Sequence, residues 1–199
     1  MDISTVLPVS AALLHISGFV LYNVQTKLGK SDPNPASWFL WAFFATLNAL
    51  SFRAMNDTIA ALQFFAGSVG CTATFLYVLV IGRFKWPTRR EWVVLAVGLV
   101  SIFVWYQFTA TVANMILAGI LLWSFEPTLR GVWENPMKEK ATAWYLWAIA
   151  FLITAVNTYT YKGGWTLSMV LPVLGFLCHV VIPPLCTEER KYRFEARQI

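Results

Sequence analysis

Six stretches of this chain contain no Asp, Glu, Lys or Arg: 3–26, 33–52, 58–82, 92–125, 141–161 and 163–187. All the charge is gathered in the segments between and after them. About 20 residues of helix cross the hydrocarbon layer of a bilayer, so five of these stretches predict one helix each. The fourth, 34 residues long, exceeds one comfortable span and is just enough for two short helices joined by a tight hairpin at 107–110. The predicted helices are 5–22, 37–52, 58–81, 91–106, 111–125, 142–160 and 164–185.

The basic residues decide between one helix and two in that fourth stretch. With two, Lys27, Lys30, Arg83, Lys85, Arg89, Arg90, Arg130, Lys138, Lys140, Arg190, Lys191, Arg193 and Arg197 fall on one side, and only Arg53 and Lys162 on the other. With one, the later loops change sides and the bias vanishes. Lys and Arg are retained on the cytoplasmic side of a membrane, so the two-helix reading predicts seven spans in the plasma (inner) membrane, with the N-terminus outside and the C-terminus in the cytoplasm.

Composition agrees with a lipid-embedded chain. Hydrophobic residues make up 58% and charged residues 13%, against about 25% charged in soluble domains, and the mean hydropathy is +0.59. The net charge of +5 follows from the loop asymmetry, so nucleic acid is not implied as a partner. Met1-Asp2 offers no basic leader and no small-residue cleavage site precedes Lys27, which makes the first stretch a retained helix. Cys71, Cys178 and Cys186 lie in or at the end of apolar stretches without metal or disulfide spacing, and read as packing residues.

The chain also repeats itself. Shifted by 101 residues, 18–35 lies over 119–136 with five identities in eighteen positions, including Asn34-Pro35 over Asn135-Pro136. After five extra residues in the second copy, 38–50 lies over 144–156 with five in thirteen, including Trp38, Leu40, Trp41 and Ala42 over Trp144, Leu146, Trp147 and Ala148. A shared order of matches is the mark of an internal repeat. The fold class expected is therefore all-α integral membrane, seven helices arranged as two parallel three-helix bundles joined by a linker helix. The first unit is 1–82, the linker 83–110, the second unit 111–187, and 188–199 a basic tail. Parallel repeats of this kind enclose a substrate site near the midplane.

A 3+1+3 chain of this length resembles the PQ-loop superfamily that includes the SWEET sugar transporters, and is similar in build to the PnuC-type vitamin transporters. The Pro-Gln pair of the former falls at the inner end of the first helix of each unit; here those places hold Val24-Gln25 and Phe125-Glu126-Pro127, so Gln25 matches and Pro127 is displaced by one. The Trp-x-x-Trp of the latter is matched by Trp38/Trp41 and Trp144/Trp147, though the following Asn48 and Asn157 are spaced differently. The third helices carry no Asn, unlike those of SWEET-like proteins. The resemblance implies a transporter and leaves its substrate open.

Candidate site residues are the strong hydrogen-bonding groups and rings at membrane depth. Trp41 and Asn48, seven apart, share a helical face, and a primary amide in hydrocarbon must be paired or face a cavity. Asn48 is thus either a contact to a polar substrate, with Trp41 as a stacking surface, or half of an interhelical hydrogen bond. Trp147, Thr154 and Asn157 are their counterparts in the second unit. Gln63, Asn114, His15 and His179 are the remaining polar groups inside spans; two His fall short of a zinc site, and neither metal nor cofactor is expected. Trp38 and Trp144, with Trp86, Trp92, Trp133 and Trp165, read as interface anchors. Gln25, Glu126, Pro127 and Pro172 are candidates for gating or hinge motion, Glu126 within reach of Arg130, and Gly67, Ser68, Gly70 and Gly175 for close helix contact.

Spans without a carboxylate argue against proton coupling, so the function expected is facilitated diffusion of a small polar metabolite, such as a sugar, nucleoside or vitamin, by alternating access. A non-transporting receptor or assembly protein on the same fold is the alternative, and an enzyme is not expected because no nucleophile, base or metal set is present. The partners implied are a small-molecule substrate, the bilayer and, as an open question, a second copy of the chain.

Overall fold

The computed structural model describes residues 3–81 and 86–197. Met1-Asp2, Arg83 and Lys85 lie outside them. The described residues form eight α-helices and no strand: α1 (Ile3–Lys27), α2 (Pro35–Ala54), α3 (Thr58–Val80), α4 (Arg89–Gln107), α5 (Ala110–Glu134), α6 (Ala141–Lys162), α7 (Val170–Val180) and α8 (Glu188–Glu195).

Local chemistry sets the helix ends. Asn34 accepts the N–H of Ala36 and Pro35 opens α2. Thr88 and Glu91 close a reciprocal capping box on α4, satisfying two backbone donors that the helix leaves over. The 92–125 stretch does divide in two, at Phe108 and Thr109, and Thr109 caps α5 by accepting from Val112 N. Gly163, in the left-handed region at φ 71°, ends α6.

Three elements depart from the sequence reading. Helix α1 continues past Tyr22 to Lys27, and α5 past Phe125 to Glu134, carrying Glu126, Pro127 and Arg130 inside the helix. The seventh predicted helix is not continuous: 3₁₀ turns at Leu167–Met169 and Pro183–Cys186 flank the 11-residue α7. Pro172 falls in the first turn of α7, where the missing N–H belongs to no intrahelical bond, so no broken ladder stands behind the hinge expected there. Part of the basic tail is helical, with Thr187 accepting from Arg190 N at its start.

Six helical runs are long and apolar enough to cross a membrane: Val6–Lys27, Ala60–Val80, Arg89–Gln107, Ala110–Glu134, Ala141–Lys162 and Leu167–Cys186. Helix α2 has the length, but its Trp, Ser and Asn residues lower its hydropathy. Leu13, Val20, Phe65, Leu76, Val80, Leu99 and Phe103 stand more than half exposed on the outer surface. Such an exterior is a liability in water and a fit to lipid, which together with the six runs matches a multi-pass membrane protein.

Helix α3 packs on both α1 and α2, and α7 on both α5 and α6; across the middle, α1 packs on α6 and α2 on α5, while α4 lies against α5 and α2. Three buried clusters fill the interior. An aromatic one holds Phe19, Tyr22, Trp38, Phe125, Trp144 and Trp147. A second, built on Phe52, Phe64 and Phe151, closes the end where α3 and α5 begin. The third, around Phe44, Leu117 and Val94, joins α2 and α5 to α4.

Candidate functional site

The two tryptophan pairs of the sequence repeat meet in the centre of the molecule. Trp38 and Trp41 are edge-to-face at 5.0 Å and 85°, and Trp144 and Trp147 at 5.1 Å and 83°. Their cross contacts also correspond, Trp38 to Trp147 at 6.0 Å and Trp41 to Trp144 at 6.5 Å. Trp38 and Trp144 are 2% and 1% exposed, so the expectation that they anchor the membrane interface is corrected: their i, i+3 spacing turns both rings of each pair inward. Trp86, Trp92, Trp133 and Trp165 are exposed, and so is Trp123.

Trp38, Trp41 and Trp144 separate two cavities. On one side lies a vestibule of about 250 Å³, walled by the ends of α1, α2, α4, α5 and α6 and lined also by Tyr22, Asp32, Glu91, Lys138 and Glu139. On the other lies an inner chamber of about 60 Å³, lined by His15, Trp147, Phe125, Phe151 and His179 among others. At roughly 30 Å³ per water the chamber holds about two, and it is smaller than the ~150 Å³ apolar cavity that admits one benzene ring, so a compact head group enters only if the half-buried Trp41 gives way.

The vestibule holds a buried acid. Glu139 is 4% exposed; its Oε1 accepts from Tyr22 Oη at 2.8 Å and its Oε2 from Trp144 Nε1 at 3.1 Å. It therefore ties α1 to α6 beneath the tryptophan layer. Burial pushes the carboxyl up to about 7, against the lowering effect of hydrogen bonds from Tyr22, Trp144 and Ser31, with nearby Asp32 raising it further. Glu91, also 4% exposed, accepts from Asn34 Nδ2 at 2.9 Å and Thr88 N at 2.6 Å. Glu139 and Glu91 are thus buried carboxylates, which the charge-free stretches did not lead one to expect, and both sit at helix ends outside those stretches. Charge-free spans could not reveal them. Glu139 belongs to the five residues inserted in the second repeat, just after Asn135 accepts from Met137 N to start the 3₁₀ turn Pro136–Lys138.

The predicted site residues divide. Trp41, Asn48, Trp147 and His179 all line the inner chamber. Asn48 does so while accepting, through Oδ1, a bond from Asn114 Nδ2 at 3.2 Å; the same amide donates to Ser51 Oγ at 2.9 Å. Asn48 thus makes the interhelical bond, α2 to α5. Gln63, Thr154 and Asn157 are buried but line neither cavity. Both amide atoms of Gln63, Thr154 Oγ1 and Asn157 Nδ2 have no hydrogen-bond partner. Gln63, Asn114, Thr154 and Asn157 are thus not brought to either cavity in this arrangement.

Gln25 is buried and donates through Nε2 to Thr142 Oγ1, a second tie from α1 to α6. Glu126 pairs with Arg90 of α4 at 3.2 Å, not with Arg130, which pairs with Glu134 at 2.8 Å one turn along the same helix. Pro127 lines the vestibule from within α5. His15, named among the polar groups inside spans, lines the inner chamber; Phe19, Phe125 and Phe151 were not expected at the site, and only the helical register of α1, α5 and α6 brings them there. His15 stacks on Phe19 at 5.2 Å, and its Nδ1 is buried without a partner. His179 Nδ1 donates to Gly175 O at 2.6 Å. Close helix contact occurs where glycines receive rings: a Cβ on Gly18 would collide with the Trp147 indole, and one on Gly175 with Phe151.

Among the described residues no group of three or more His, Cys, Asp or Glu is arranged to hold a metal ion. In comparisons with family models, curated proteins and solved structures, nothing matches this chain.

Proposed function

We propose that this protein is a membrane transporter for a small solute, in which α1–α3 and α5–α7 form two parallel three-helix units, joined by α4, that rock about the tryptophan layer. On this reading α2 is a seventh span, the N-terminus is outside, and the vestibule opens to the cytoplasm beside the basic loops. The observation that carries it is the pair of cavities in line, parted by Trp38, Trp41 and Trp144. Two cavities that meet at a thin aromatic wall between two repeated units are what alternating access calls for.

The helix contacts support the same reading. Exchanging α1, α2 and α3 for α5, α6 and α7 turns the α1–α6 contact into α5–α2, and leaves the third helix of each unit between the other two. That is the pattern of an axis along the membrane normal, and it accords with the resemblance to PQ-loop and SWEET-like proteins. Glu126 bound to Arg90, and Gln25 bound to Thr142, hold the linker and the two units at the vestibule end.

The test is counterflow in proteoliposomes with a panel of radiolabelled sugars, nucleosides, amino acids and amines. At least one is expected to exchange faster than in empty liposomes, and Trp41→Ala, which opens the wall between the cavities, is expected to change that rate while the protein still elutes as a folded species. No exchange of any solute would overturn the transporter reading.

A further inference from the structure

The inner chamber has a definite chemical preference. Nine of its sixteen lining residues are Phe or Trp, and none is Lys, Arg, Asp or Glu. Four of its hydrogen-bonding groups are already engaged with the protein: Trp41 Nε1 donates to Ser124 Oγ at 3.0 Å, Trp147 Nε1 to His15 O at 3.1 Å, Trp144 Nε1 to Glu139, and Asn48 Oδ1 accepts from Asn114. A sugar there would leave several hydroxyls unpaired, at about 1–3 kcal/mol each. Aromatic faces, by contrast, attract a cation, and a quaternary ammonium group carries no N–H and asks for no acceptor.

Two further observations point the same way. Among the lining residues, His15 Nδ1 is a buried polar atom without a partner, which matches a ligand with one hydrogen-bonding group beyond its apolar cation. Among the described residues the vestibule is lined by Asp32, Glu91 and Glu139, the last only partly charged near neutral pH, against Lys138, a balance that favours cations before they reach the tryptophans.

We propose that the inner chamber binds a compact quaternary ammonium compound bearing a single hydroxyl or carbonyl group, drawn in through the acidic vestibule, and that this cation is the transported solute. The second part rests on the transporter reading; the first does not.

The experiment uses the full-length protein in detergent and three ligands: choline, its neutral carbon isostere 3,3-dimethylbutan-1-ol, and glucose, at matched ionic strength. Tryptophan fluorescence and thermal stability are expected to report choline binding at least about tenfold tighter than the isostere, with no response to glucose. Trp41→Leu should abolish that preference and Trp41→Phe, which keeps an aromatic face, should retain most of it. Equal binding of choline and its isostere, binding of glucose, or no binding of choline would overturn the ammonium site. Choline flux in proteoliposomes then tests the second part. Binding without flux would overturn transport and leave the site standing; flux of another solute without choline binding would overturn the ammonium assignment and leave transport standing.

Discussion

The two copies of the repeat hold their tryptophan pairs in nearly the same geometry and attach them to the protein in different ways. In the first copy Trp41 is half-buried, faces both cavities and donates to a hydroxyl, Ser124 Oγ. In the second, Trp147 is 1% exposed, wedged against Gly18, and donates to the backbone carbonyl of His15. Trp144 gains an anchor in the inserted Glu139, and Trp38 has no such acid beneath it. The lesson is that an aromatic layer can be symmetric in its rings and divided in its duties, one copy a fixed wall and the other a movable face.

The largest effect should separate those duties. Trp147→Ala removes a fully buried indole and its bond, and is expected to cost about 3–5 kcal/mol; Trp41→Ala, losing less buried surface, should cost less than half as much. Unfolding in a graded denaturing detergent would measure both. Equal losses would mean that the two copies carry the same structural load and that the distinction drawn from burial is wrong.

Glu139 is the sharpest difference between the copies. Its carboxyl is held near 7, above its ordinary 4.5, in the folded protein. A raised folded value means that the folded state keeps its proton where the unfolded chain has lost it, so the stabilising contribution is full below about pH 4.5 and is lost as pH rises through about 7. Wild-type stability should fall by up to about 3 kcal/mol between about pH 5 and about pH 8 from this group. Glu139→Gln should flatten the slope. A slope that persists in the variant would place the titrating group elsewhere.

The sequence disclosed the division of 92–125 and the apolar, all-helical character of the chain because both depend on where charge is missing. Trp41, Asn48, Trp147 and His179 could be found for the same reason: a polar or aromatic group at membrane depth stands out against Leu and Val. Glu139 could not, since in sequence it is one charge among several in a loop between Lys138 and Lys140, and only the folding of the insertion beneath Trp144 buries it. Nor could Phe19, Phe125 and Phe151, because in a span that is apolar all round no pattern marks which ring faces inward. Trp38 and Trp144 were misplaced by their position at helix starts, where an interface belt and a central layer look alike.

A smaller effect tests the closed end. Asn114→Ala removes the donor shared by Asn48 Oδ1 and Ser51 Oγ, leaving both in a buried setting, and should cost about 1–3 kcal/mol. Ser51→Ala, which leaves the Asn48 bond intact, should cost less. If the two variants lose the same amount, the amide bond to Asn48 contributes nothing measurable and the α2–α5 contact is held by apolar packing alone.

Gln63 supplies the smallest change and the opposite sign. It is 0% exposed, and neither its Nε2 nor its Oε1 finds a partner, whereas Asn114 has at least its Nδ2 paired. An unpaired buried amide destabilises the state that buries it, so Gln63→Leu should stabilise the closed end by about 1 kcal/mol, read as a raised melting temperature. Were that end to open during transport, water would reach the amide and repay its hydrogen bonds in the open state, and the leucine would raise the cost of opening. The variant should then be more stable and slower in counterflow at once. A gain in stability with unchanged flux would mean that Gln63 stays buried throughout the cycle, and that the units rock about a point nearer the tryptophans than the second aromatic cluster.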